Sequence, residues 1–283
     1  MIPQIGIESA PSDLVTFLLA TLIHQAYQSP VGEVTGTVHE FKGTPSGGTL
    51  ATALSLADSF SNAELINATS GNWSSSPIQH PKKPSSSPSL LKLSFHKVFG
   101  VHQVPRLGIL TTFVGAGANV SVVQRTWGLL DEGKYYGPKF SYREYATARN
   151  HLVGILVHWA LAFGVIAIAL PPVRWILKKF VTAPGHGAGK EAAKKDAFEF
   201  RAVATADNQS SAPQKVYGRL RYEGSMYYLT GIFLAEAAMV LLKEEELVKT
   251  LGGGLLTPAV LGQQYIDRLA KAGLMFEAEV LSK

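Results

Sequence analysis

The chain has 283 residues and a mass of 30.4 kDa, with 46% hydrophobic residues, so it can bury a sizeable core and is not disordered throughout. Its lack of cysteine excludes disulfides, zinc–thiolate sites, iron–sulfur clusters and thiol catalysis. The net charge of +5 is mild and its basic residues are dispersed, so no nucleic-acid partner is expected, and no metal site is assigned.

Ile2 to Ile7 has the pattern of a buried strand, followed by the polar turn Glu8-Ser9-Ala10-Pro11-Ser12-Asp13 and an apolar, helix-like run from Leu14 to Ile23. Strand, polar turn and helix make the βα unit of a nucleotide-binding sheet, and here that unit opens the chain with no earlier strand to pair beside it. Gly32 to Lys42 alternates as a strand does, and Gly43 to Thr49 is a turn ahead of an alanine-rich helix from Leu50 to about Phe60. Gly47, Gly48 and Thr49 stand at that helix's N-terminus. Unpaired backbone N–H groups there suit an anion or a polar substrate group, or serve a plain N-cap with a tight turn.

Residues 61–89 turn polar, with runs of serine and proline that bury too little surface to order themselves, and are read as an exposed loop. Leu107 to Val123 predicts a strand or turn leading into a short helix that ends near Leu130. Tyr135 to Tyr145, dense in aromatic and charged residues, reads as a strand edge beside a cleft. No basic region followed by a long apolar core stands at the N-terminus, so an intracellular protein is expected.

Leu152 to Leu170 carries no formal charge and no proline, and as a helix it would extend about 28 Å, just long enough for a bilayer. Pro171-Pro172 ends it, and Val173 to Phe180 has the basic and aromatic make-up of an interfacial helix. Three readings stand open: a spanning helix, an in-plane or shallow insertion, and a buried core helix whose Gly154, His158 and Gly164 let partners approach. A protein associated with a membrane surface is the leading choice.

Pro184 to Lys195 is a linker. Ala197 to Thr205 and Lys215 to Tyr222 predict a β-hairpin, with Phe198, Phe200 and Ala202 on one face and Glu199, Arg201 and Val203 on the other. A helix from about Tyr228 to Glu246 has an apolar side through Leu229, Phe233, Ala237 and Val240. Gly252 to Pro258 turns the chain into a helix from Ala259 to about Lys271, with Thr257 as N-cap and Pro258 at its first position; Phe276 to Val280 closes as a short strand.

These pieces resemble the saccharopine dehydrogenase-like oxidoreductases, a family that includes trans-acting enoyl reductases of glycolipid assembly and lipid-droplet-associated members. The resemblance rests on Ile5 to Asp13, on Ser46-Gly47-Gly48-Thr49-Leu50-Ala51, and on Tyr136-Gly137 with Phe140, Tyr142 and Glu144. Pro171-Pro172 with Arg174, and Gly252 to Ala259, add to it. Members of that family begin with a dinucleotide-binding half carrying a glycine-rich phosphate loop. Nothing here fits G-x-G-x-x-G followed by an acidic residue, and Gly115-Ala116-Gly117-Ala118 lacks the third glycine.

The resemblance therefore implies an α/β to α+β chain, N-terminally truncated. A Rossmann-type remnant, the last strand and helix of that domain, covers residues 1–30. A mixed α+β substrate domain covers 31–150 and 181–283, and an apolar membrane-associating helix with its amphipathic sequel covers 151–180. It implies a lipid-like or acyl substrate at a membrane or lipid-droplet surface. NAD(P) is the family's cofactor, not bound by this chain alone. Glu8, Ser9, Ser12 and Asp13 would line the substrate and nicotinamide pocket, with Gly47, Gly48 and Thr49 as backbone donors and Tyr142 as a cleft hydroxyl; no catalytic residue is named. Capping of the helix that follows is the alternative role for Ser12 or Asp13. A non-catalytic membrane-binding or lipid-droplet protein is the alternative, and a homodimer is left open.

Overall fold

The computed structural model describes residues 1–43, 47–61, 63–65, 73–81, 98–179, 189–208 and 213–282. Ser46, the serine and proline run of 82–89 and the linker residues 184–188 lie outside them, as do the side chains of Gly47 to Leu50. The fold is mixed α/β. Helix α1 (Ala10–Tyr27) precedes β1 (Val31–Lys42) and α2 (Gly47–Ser59). Strands β2 (His102–Val104) and β3 (Gly108–Thr111) lead into α3 (Ala116–Leu129) and β4 (Ser141–Ala148). Then come α4 (His151–Ala169), α5 (Pro171–Lys178), the short α6 (Lys190–Ala193), and the hairpin of β5 (Ala197–Ala206) and β6 (Lys215–Glu223). Helices α7 (Met226–Lys243) and α8 (Glu245–Leu251), a 3-10 turn (Pro258–Leu261), α9 (Gly262–Lys271) and β7 (Met275–Leu281) complete it.

The seven strands form one sheet in the order β2-β3-β4-β1-β5-β6-β7. Among the described residues, the β1–β4 pairing is parallel and the other five are antiparallel. Alternation decides the layers. Phe198, Phe200, Ala202 and Ala204 of β5 and Val216, Leu220 and Tyr222 of β6 point to one face and are buried there with Leu14, Leu19 and Ile23 of α1. On the far side of that core, α7 buries Leu229, Phe233, Ala237 and Val240, the stripe that the 3.6-residue period predicts, and the Tyr265 hydroxyl of α9 donates to the Phe233 carbonyl at 2.8 Å. Each large aromatic or aliphatic side chain buried this way stabilises the fold by about 2–3 kcal/mol.

Several expectations are corrected. Residues 1–7 form turns and no strand. Pro3 has no N–H to give a ladder, and the backbone groups bond elsewhere: the Met1 amino group donates to the Gly254 carbonyl, the Leu256 N–H to the Met1 carbonyl, both at 2.8 Å. Trp73 to Pro81, expected in an exposed loop, packs on α3. The Trp73 ring meets Trp127 edge-on at 5.0 Å, the Trp73 N–H donates to Gln124 Oε1, and Arg125 Nη1 donates to the Ser75 carbonyl at 2.8 Å. A single tryptophan supplies the apolar area that the surrounding serines lack. The aromatic stretch ends in β4, which lies between β3 and β1 instead of at an edge, with Tyr136 and Phe140 buried in the core. The helix expected to run to Glu246 breaks at Glu244, and the one expected from Ala259 is split into the 3-10 turn and α9.

Gly36 ties the sheet to the interior. A Cβ at this position would stand 2.7 Å from Phe200 Cζ and 2.9 Å from the Tyr142 hydroxyl, two fully packed neighbours. Gly36→Ala is therefore predicted to destabilise the fold by about 1–3 kcal/mol, read as a lower urea midpoint; an unchanged midpoint would show that the contact relaxes without cost.

Candidate functional site

The polar turn before α1 and the first turn of that helix meet α3, β4 and the 3-10 turn in a buried hydrogen-bonded cluster. Pro11 sits in the first turn of α1, where its missing N–H costs nothing. That turn aims Ser9, Ser12 and Asp13 inward, and all three are buried. Asn119 and Thr126 stand on the inner face of α3, two turns apart, interleaved with buried Val122 and Val123. Tyr142 and Glu144 are alternate residues of β4 and so share its helix-covered face.

The cluster has two halves. In the first, Ser9 Oγ donates to Asn119 Oδ1 at 2.8 Å, and Asn119 Nδ2 donates to Glu144 Oε1 at 2.7 Å and to Ser12 Oγ at 3.2 Å. The Tyr142 hydroxyl donates to Glu144 Oε2 at 2.5 Å. Burial pushes the Glu144 carboxyl above its ordinary range, against the hydrogen bonds from Tyr142, Asn119 and Ser12 that favour its charged form. Burial also lifts the Tyr142 phenol, and the neighbouring Glu144 adds to that effect.

In the second half, Asp13 Oδ1 accepts from the Thr126 hydroxyl at 2.6 Å and Asp13 Oδ2 accepts from the Ala259 N–H at 2.8 Å. Thr126 and Thr257 hydroxyls lie 2.6 Å apart. Thr257 precedes the 3-10 turn as expected, with Pro258 next, but its side chain makes no cap hydrogen bond. Asp13 caps that turn instead, reaching across from α1. Desolvation pushes the Asp13 carboxyl up to about 7, against the two hydrogen bonds it accepts.

Ser9, Ser12, Asp13 and Tyr142 are thus brought together, within the protein and with their polar groups paired. Glu8 is exposed at the surface. Gly47, Gly48 and Thr49 form the start of α2, which packs on α4 and α5. Tyr142 pairs with Val34, and from there β1 runs about 26 Å to Lys42 before α2 begins. The cluster contains Asn119, Thr126, Glu144 and Thr257 beyond the residues expected. Asn119 and Thr126 had a sequence signal, polar residues seven apart at core positions of an otherwise apolar helix face.

The opposite face of the sheet carries a second polar assembly. Glu199, almost fully buried, pairs with Arg201 at 2.5 Å and Arg221 at 2.7 Å; Arg221 also reaches Glu40 and Glu223, and Arg219 reaches Glu277. Burial works to raise the Glu199 carboxyl, but the hydrogen bonds from Arg201 and Arg221 hold it below its ordinary value. Two open hollows of about 510 and 560 Å³ lie on this side, around Arg106, Lys215 and Glu279 and around Arg201, Tyr217 and Arg219.

The turn at Gly115 and Gly117 does not have the setting of a dinucleotide-binding turn. Gly115 and Gly117 open α3, but the strand before them, β3, runs antiparallel to both of its neighbours, so no βαβ crossover places this turn at the end of parallel strands.

Comparison with known proteins adds an independent observation. Two curated Mycobacterium tuberculosis proteins, from strains H37Rv and CDC 1551, each named as a candidate trans-acting enoyl reductase, align with 98% of this chain at 27% identity. The chain spans 66% of their length. No family model and no solved structure matches it. The chain is accordingly a distant relative of proteins named as oxidoreductases.

The buried carboxyl of Asp13 predicts a pH dependence. With a folded pKa of about 7 against an ordinary 3.8, the fold favours the protonated acid, so its contribution is present at low pH and lost as pH rises through the folded value. Asp13→Asn retains an acceptor for Ala259 and cannot ionise. Its stability relative to wild type is predicted to rise between about pH 4 and pH 7, by an amount on the order of 4 kcal/mol. Urea unfolding across that range checks this; a constant offset between the two proteins contradicts it.

Proposed function

We propose that this chain is a saccharopine dehydrogenase-like oxidoreductase chain that serves the reduction of a lipid-like or acyl substrate at a membrane or lipid-droplet surface. The observation that carries this reading is the alignment of 98% of the chain with proteins named as enoyl reductases. Reducing an enoyl group needs a hydride donor, and NAD(P)H is the donor this family's chemistry calls for. The sequence has no G-x-G-x-x-G followed by an acidic residue, and the reading therefore gives this chain the substrate and membrane side and leaves NAD(P) to another part of the protein. The exposed apolar helix α4 supports the membrane element, and an intracellular location is part of the same proposal.

A second reading, a non-catalytic membrane or lipid-droplet binding protein, draws on the burial of the Ser12–Glu144 cluster, whose polar groups are spent on one another. Titrating the full chain with NADPH and, separately, with a fluorescent long-chain enoyl thioester distinguishes the two. The proposal predicts saturable binding of the thioester and none of NADPH. Tight NADPH binding contradicts the assignment of the cofactor to another part of the protein, and failure to bind the thioester contradicts the substrate role and favours the second reading.

A further inference from the structure

The exposed apolar surface is concentrated on α4 and α5. Leu156, Phe163, Val165 and Ile166 of α4 and Trp175 and Ile176 of α5 are at least half exposed, and Gly154 is the only buried residue of α4. A continuous apolar surface of this kind on a soluble domain marks an interaction site. Its reach is limited at both ends. At the start of α4, the Thr111 hydroxyl donates to the Gly154 carbonyl at 2.7 Å, and Thr112 and His158 Nδ1 are hydrogen-bonded at 2.7 Å. A Cβ at Gly154 would meet Val101 at 2.5 Å, so the helix is seated directly on the sheet. From Trp159 to Ala169 only about 16 Å of helix rises beyond that seat, against a hydrocarbon core of about 30 Å.

The far end is clasped. Pro171 and Pro172 start a new helix, and Arg174 Nη1 turns back to donate to the Ile168 and Ala169 carbonyls at 2.9 and 3.1 Å. These are carbonyls that the end of α4 leaves unpaired, at the negative end of its dipole. The same guanidinium pairs through Nε with Asp58 of α2 at 2.9 Å and is largely buried. One residue thereby ties the end of α4, the start of α5 and the body of the protein together. The segment's own charge has one sign: residues 149–179 contain Arg149, Arg174, Lys178 and Lys179 and no Asp or Glu. Lys179 Nζ stands 3.4 Å over the Trp175 ring, a basic and aromatic pairing suited to the headgroup level.

We propose that α4 and α5 enter one leaflet of an anionic phospholipid surface without crossing it, with Arg174 as the clasp that holds the inserted end to the folded body. This rests on the membrane reading above and adds its depth, sidedness and lipid charge. The absence of cysteine makes the test direct. Single-cysteine variants Phe163→Cys and Ile176→Cys are labelled with an NBD fluorophore, and the full chain is floated with phosphatidylcholine vesicles with and without phosphatidylserine. The expected result is flotation on the phosphatidylserine vesicles, a blue-shifted label at position 163, and a label at 176 that external dithionite bleaches without detergent. Lys178→Gln with Lys179→Gln should weaken partitioning about thirtyfold. Failure of the unmodified chain to float overturns the membrane reading itself. Flotation with a label at 176 protected from dithionite shows a spanning helix and overturns the one-leaflet arrangement alone. Equal flotation on both vesicle types overturns the lipid-charge assignment, and a lipid-free dimer that buries the label at 163 replaces the lipid with a second copy.

Discussion

Asp13 stands in the first turn of the first helix, yet the N–H it accepts from belongs to Ala259, 246 positions along the chain. Closing a loop of that length has an entropic cost that a single hydrogen bond does not offset, so the contact presupposes the core around it. Once formed, it joins α1, α3 through Thr126 and the C-terminal turn at Thr257 in one chain of short contacts. Beside it, Asn119 and Glu144 extend the same interior to β4. A buried carboxyl gains little net stability from such bonds after desolvation, but it penalises every packing that leaves it unpaired. The polar cluster therefore fixes which elements adjoin, while the apolar side chains supply most of the stabilisation.

Much of this architecture is legible from local pattern. The β5–β6 hairpin follows from strict alternation, and the α7 stripe from helical periodicity, because both depend on which side of an element is apolar. The opening residues mislead for the same reason: Ile2, Ile5 and Ile7 have a strand's composition, but a strand needs a free neighbour, and the backbone of this segment bonds elsewhere, from Met1 to Gly254 and Leu256 and from Ile7 to the Thr230 hydroxyl. Trp73 shows the converse case, one large ring holding an otherwise polar segment against α3. Thr257 has the signature of an N-cap, but its side chain makes no cap bond, and a cap supplied from another helix has no signature within a few residues. For the same reason the partners of Ser12 and Asp13 appear only when α3 and β4 are brought against α1.

The resulting division of labour bears on function. The helix-covered face of the sheet holds the Ser12–Glu144 polar cluster, hydrogen-bonded within itself, the opposite face carries a lattice of arginine and glutamate, and the largest share of exposed apolar side chains lies on α4 and α5 at the β3–β4 side. The polar interior is buried and hydrogen-bonded within itself. The exposed apolar surface of α4 and α5 is separate from it, is attached through Gly154, His158 and Arg174, and is the surface that the proposal gives to lipid. Distant similarity to proteins named as enoyl reductases is compatible with this arrangement, and holding a folded body against lipid is the contribution we propose for it.

Hydrogen–deuterium exchange of the full chain with and without phosphatidylserine-containing vesicles tests that account most directly. It predicts added protection confined to residues 151–179, with β1, β4, β5 and the Asp13 helix unchanged. Protection on the arginine-rich face of the sheet in place of that segment, or loosening of α1 and β4 when lipid is added, would contradict it.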